Sequence, residues 1–179
     1  MKNTDVIFAG FGGQGILMVG NLLSIAAMEE GRQVTYFPAY GVEMRGGTAN
    51  CTVVISDEEI GSPVVGHPNA CVVMNTPSLE KFQPLLAPGA TLVVNSSLID
   101  KAGVTRNDIS VLFVEANDVA RKVGSLQLAS MVALGAYAAK TGVVRVETLC
   151  GCLPKVVSKK YERFIPLNIN ALKEGASFA

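Results

Sequence analysis

The chain has 179 residues, 15 Lys+Arg against 15 Asp+Glu, and 49% hydrophobic residues. A net charge of zero without a basic run removes the electrostatic footing that nucleic-acid binding needs. The length supplies one ordinary domain with a real core, read here as a single domain over residues 1–179. A mean hydropathy of +0.37 is apolar for this size and implies surface covered by partner chains, with self-association, as a homodimer, expected in isolation.

Met1 to Asp5 leads directly into the apolar run Val6-Ile7-Phe8-Ala9, a short buried strand with no signal peptide before it. The glycine cluster Gly10-Phe11-Gly12-Gly13-Gln14-Gly15 comes next, and Ile16 to Glu30 then reads as a helix. Gly10, Gly12 and Gly15 satisfy G-x-G-x-x-G in the strand-to-helix context that gives the motif its meaning. Glycine permits a tight turn and close approach of the main chain, and the helix start offers N–H groups and a positive dipole end. A dinucleotide site also wants a carboxylate at the end of the second strand. Gln33 to Phe37 is that strand; it is expected to end at Pro38-Ala39-Tyr40, with no acid there, which argues against NAD.

The loop Pro38 to Gly47 carries Tyr40, Glu43 and Arg45 close together and closes on Gly46-Gly47. Its glycines permit backbone shapes other residues resist, and loops held by a rigid sheet often carry function. Cys51 to Ile55 is a further strand, and Asp57-Glu58-Glu59 a solvated turn. His67, the sole histidine, has Pro68 after it and no nucleophile beside it, so it gives no basis for a catalytic set. Cys71 to Asn75 and Thr91 to Asn95 read as central strands, with a helix from Thr76 to Leu86 between them. Asn75 and Asn95 end those strands, where capping the next turn is their simplest role. Val111 to Glu115 is the last strand, with Asn117-Asp118 expected to cap a helix over 119–123.

Val123 to Ala139 is a long uncharged stretch, but short for a membrane span. It reads as part of a buried helix over 126–140 whose small residues, Ala129, Ala133, Gly135 and Ala136, allow close packing on the sheet or on another chain. A cytosolic chain is expected. Two final helices, 147–160 and 162–173, are expected to be broken by Pro154 and Pro166. Cys51, Cys71, Cys150 and Cys152 lack the spacing of a metal or cluster site, so no metal is assigned. A P-loop, a G-x-S-x-G elbow and paired carboxylates are all lacking. The strand–helix alternation gives an α/β class: a Rossmann-like three-layer sandwich with a mostly parallel sheet. No catalytic residue is assigned to it.

Two motifs in this order, Gly10-Phe11-Gly12-Gly13-Gln14-Gly15 and Tyr40-Gly41-x-Glu43-x-Arg45-Gly46-Gly47, resemble the gamma subunit of 2-oxoacid:ferredoxin oxidoreductases. Met131-Val132-Ala133-Leu134-Gly135-Ala136 is similar to a third block of that family, and the stand-alone length is most like the 2-oxoglutarate type. Where the family commonly has Asn before this block, the chain has Ser130, a hydroxyl without an amide's reach. The resemblance implies a complex that decarboxylates a 2-oxoacid on thiamine diphosphate, reduces ferredoxin through iron–sulfur clusters, and forms an acyl-CoA. It implies alpha, beta and ferredoxin-like delta subunits as partners. Thiamine diphosphate, Mg²⁺, the clusters and CoA would be held through other subunits, and none by this chain alone. On this reading Gly10, Gly12, Gly13, Gln14 and Gly15 form a main-chain binding loop, with Tyr40, Glu43 and Arg45 beside it as ligand or partner contacts. An autonomous nucleotide-binding protein and a ligand-free scaffold homodimer are the alternatives.

Overall fold

A computed structural model of the chain describes residues 3–40 and 47–179. Among them, one six-stranded sheet has the order β2-β3-β1-β4-β5-β6. β1 is Thr4–Phe11, β2 Gln33–Tyr40, β3 Thr48–Ser56, β4 Ala70–Val73, β5 Thr91–Asn95 and β6 Ser110–Val114. β1, β4, β5 and β6 run parallel, whereas β3 lies antiparallel between β1 and β2.

The inserted β3 is a departure from simple strand–helix alternation. The chain turns back after β2 and pairs β3 with both β2 and β1, so Gly10 faces Ala49 and Ala49 faces Tyr40. β2 also runs on through Pro38 to Tyr40 instead of ending before it. Proline lacks the N–H a ladder needs, and it is accommodated because β2 is an edge strand.

Period-2 alternation sends side chains to two cores. Val6, Phe8, Val72 and Val93 face one layer, with α1 (Ile16–Glu29), α3 (Ala116–Val123), α4 (Ala129–Thr141), α5 (Val146–Val156) and α6 (Ile165–Ala176). Ile7, Ala9, Cys71, Val73, Leu92 and Val94 face the other, covered by Leu79 and Phe82 of α2 (Thr76–Phe82) and by Leu86 and Ile99. Phe8 meets the fully buried Tyr137 edge-on, with ring centroids 5.9 Å apart at 86°, which ties β1 to α4.

The small residues of α4 are used within the chain. A Cβ on Gly135 would lie 2.0 Å from the Leu172 carbonyl oxygen, and one on Gly175 only 1.9 Å from that of Val132. The α4 and α6 backbones therefore touch at two reciprocal glycines. Pro166 starts α6, where a missing N–H costs nothing, and Pro154 lies inside α5 near its end; neither breaks a helix as expected. α3 begins at Ala116, so Asn117 and Asp118 sit in its first turn and do not cap it.

Candidate functional site

β1 and β4 are parallel neighbours whose following helices leave toward opposite layers, α1 to one and α2 to the other. The carboxyl ends of two such strands flank a crevice, the ligand position of open α/β sheets. The glycine cluster lies at this point. Gly15 is the N-cap of α1 with φ 76°, and no side chain caps the helix start. A Cβ on Gly15 would also lie 2.7 Å from the Ser130 Oγ, so the loop rests directly on the first turn of α4.

The two sequence motifs meet here. The Gly12 N–H donates to the Gly47 carbonyl at 2.9 Å, and Phe11 pairs with Thr48. The chain thus re-enters the sheet at Gly47 beside the glycine cluster, because β3 runs back along β1. Glu43 and Arg45 lie outside the described residues; Tyr40 ends β2 opposite Ala49.

Gln14 folds back over its own loop. Its Oε1 accepts the Phe11 N–H at 2.7 Å, and the Asn75 Nδ2 donates to the same oxygen at 3.4 Å. Gly10 leaves the room: a Cβ there would lie 2.6 Å from that oxygen. Asn75 caps α2 as expected, its Oδ1 accepting the Ser78 N–H at 2.9 Å. Deeper in, Asn95 donates to the Met74 carbonyl at 3.3 Å and to the Asn117 Oδ1 at 3.0 Å. Ser97 donates to Asp118 at 2.6 Å beside it. Asn75, Asn95, Asn117 and Ser130 are all buried. Sequence reading missed the link between Gln14 and Asn75, which are 61 positions apart. The only local signal was an Asn at each of two strand ends.

Amides and hydroxyls orient a ligand; they do not move protons at neutral pH. His67 is at the amino end of β4, opposite the crevice, with its Nδ1 3.3 Å from the Leu85 carbonyl oxygen. One helical turn beyond Gly15, an open groove of about 590 Å³ starts at Met18 and passes between Leu128, Val156, Tyr161, Phe164 and Leu167.

Among the described residues, the donors do not fit a metal or an iron–sulfur cluster. No group of three or more His, Cys, Asp or Glu is placed to hold a metal among the described residues. Cys51 and Cys71 are buried in separate strands. Burial pushes the Cys51 thiol up to about 12 and that of Cys71 further still, the opposite of what a thiolate ligand requires. Cys150 and Cys152 are two positions apart on α5, where neighbours at that spacing do not share a face.

The fold defines a class: a three-layer α/β domain with a glycine loop and a helix N-terminus at a switch point. The chain belongs to the pyruvate ferredoxin/flavodoxin oxidoreductase family, whose model matches residues 5–178. It is 39% identical over 176 residues to the ketoisovalerate oxidoreductase subunit VorA of Methanothermobacter thermautotrophicus, covering 97% of this chain and 36% of that one. It is 37% identical over 148 residues to the 2-oxoglutarate synthase subunit KorC of Methanothermobacter marburgensis, covering 79% and 80%. The crystal structure of a keto/oxoacid ferredoxin oxidoreductase gamma subunit from Geobacter sulfurreducens superposes with a TM-score of 0.84 at 30% identity over 98% of each chain. The chain therefore spans about a third of the length of the VorA relative and most of the KorC and gamma-subunit chains. No helix among the described residues is long and apolar enough to cross a membrane.

Proposed function

We propose that this chain is the gamma subunit of a 2-oxoacid:ferredoxin oxidoreductase that converts a 2-oxoacid and CoA to an acyl-CoA, inactive without its partner subunits. The observation that carries the reading is the junction of the two family motifs at the switch point, through the Gly12–Gly47 hydrogen bond. Gly10, Gly12, Gly13, Gln14 and Gly15 form the main-chain loop of the site. Tyr40 at the end of β2, with Glu43 and Arg45 from the segment after it, supplies the neighbouring contacts, where a guanidinium suits a phosphate or carboxylate. Thiamine diphosphate, Mg²⁺ and iron–sulfur clusters belong to the alpha, beta and delta subunits.

2-Oxoglutarate is the substrate favoured, because this chain covers 80% of the KorC relative but 36% of the VorA relative. A branched 2-oxoacid is the second reading, favoured by the 39% identity to the ketoisovalerate subunit. The test is an anaerobic pull-down of the tagged chain from its native cell. The eluate is assayed for CoA-dependent viologen reduction with 2-oxoglutarate, pyruvate and branched 2-oxoacids in turn. Co-purifying large subunits with activity on one acid are expected; a partnerless, inactive eluate overturns the reading.

A further inference from the structure

We propose that Asn75 is a positioning residue for the glycine loop, clasping it across the β1–β4 switch point through the side chain of Gln14. Two backbone donors fix the polarity of this link. Asn75 Oδ1 accepts from the Ser78 N–H, so its amino group must face the other way, toward Gln14. Gln14 Oε1 accepts from the Phe11 N–H, so an oxygen meets that amino group. Both amides are thereby oriented without reference to each other, and the orientations are complementary.

β1 and the end of β4 are already paired here, the Met74 N–H donating to the Ala9 carbonyl at 2.9 Å. Beyond that pair α1 and α2 leave for opposite layers, and the clasp carries the connection on from the strands to the glycine loop. Asn75 is itself held: it is 5% exposed, and the amide of Asn95 anchors the preceding Met74 carbonyl. On the loop side, Gln14 Oε1 takes up the Phe11 N–H, and the absent side chain of Gly10 gives it room. Asn75 thus sets where Gln14 lies, and Gln14 sets the curl of the loop. The remaining loop N–H groups point where that curl aims them. The consequence for ligand binding rests on the function proposed above; the clasp does not.

Asn75→Asp separates the two roles of the residue. Aspartate keeps the cap on Ser78 but sets an oxygen against Gln14 Oε1. Asn75→Ser, also a good cap, is too short to reach Gln14 and serves if the first variant fails to fold. In the full chain, amide hydrogen exchange is measured at Phe11 and along α2. Losing a hydrogen bond of ordinary net strength speeds exchange at Phe11 by about fivefold, with α2 unchanged. In a Gln14→Ala background the Asn75→Asp change should add nothing, because its route is already cut. Gln14→Glu, which keeps both acceptor contacts, should retain wild-type protection.

Unaltered exchange at Phe11 in both Asn75 variants overturns the proposal, as does an Asn75 effect that persists without Gln14. In the assembled complex the same variants should raise KM for CoA by about threefold or more, with kcat kept, as expected for loss of uniform binding. Faster Phe11 exchange with an unchanged KM supports the clasp and removes the loop from the CoA path, which counts against the loop as a ligand site and not against the clasp.

Discussion

Gly135→Ala adds one methyl group at the crossing of α4 and α6, where it would lie 2.0 Å from the Leu172 carbonyl oxygen and 2.8 Å from its carbon. Real contacts of this kind do not fall below 3.0 Å, so α6 must retreat by about 1 Å. Both sides of the contact are backbone, so no rotamer change relieves it. The retreat loosens Val132, Ala133, Ala136, Ala171 and Leu172, all essentially inaccessible to solvent. Overpacking of a core typically costs about 1–3 kcal/mol and sometimes more, and the upper part of that range applies here. Alanine's better helix propensity returns about 1 kcal/mol. The net loss is about 1–2 kcal/mol, which for a chain of this size lowers Tm by about 2–8 °C. Gly151→Ala is the internal control: it is exposed within α5, and its Cβ would meet nothing within 4 Å. There the same substitution should raise stability, by up to about 1 kcal/mol. Thermal unfolding by circular dichroism reads both. A Gly135→Ala protein that melts less than about 2 °C below wild type would refute the backbone-contact argument.

Gly15→Ala forces a left-handed φ on alanine and presses its methyl on Ser130, so Tm should fall by about 2–8 °C. Adding Ser130→Ala should recover only part of that, since the backbone cost stays. Burial tends to raise the Glu30 carboxyl, but hydrogen bonds from Thr148 and from the Arg145 backbone and guanidinium outweigh it and hold it below 4.5. Its contribution is therefore present above that value and disappears as pH falls through the lower folded one. Glu30→Gln should cost about 1–3 °C at pH 7 and nothing at the acid end. Cys51 and Cys71, buried with raised thiols, should resist iodoacetamide at pH 8 in the folded chain while the half-exposed Cys150 labels; mass spectrometry counts the adducts. Arg45→Ala should impair the assembled enzyme while leaving the Tm of the lone chain within about 1 °C, in the range of ordinary surface substitutions. A large Tm loss would make Arg45 a structural residue.

Much of the fold was legible because its signals are local. Val6 to Ala9, Cys71 to Val73 and Leu92 to Val94 are continuous apolar runs, as strands covered on both faces must be. The glycine cluster announced a strand, a turn and a helix in that order. Pro38 misled, because an edge strand tolerates a proline and nothing local marks β2 as an edge. Likewise, Pro154 and Pro166 read as breaks, but a proline near either helix end leaves the hydrogen-bond ladder nearly whole.

By itself the sequence determined the class of fold, the two glycine motifs and their order, because turn chemistry and hydrophobic period act over a few residues. Tertiary structure alone decided that the motifs meet. β3 runs back antiparallel along β1 and brings Gly47 to Gly12, a consequence of strand pairing that no local pattern encodes. It likewise assigned Asn75 to Gln14 and Gly135 to Leu172. Such contacts depend on where whole elements cross, and that position is set by the packing of two cores across one sheet.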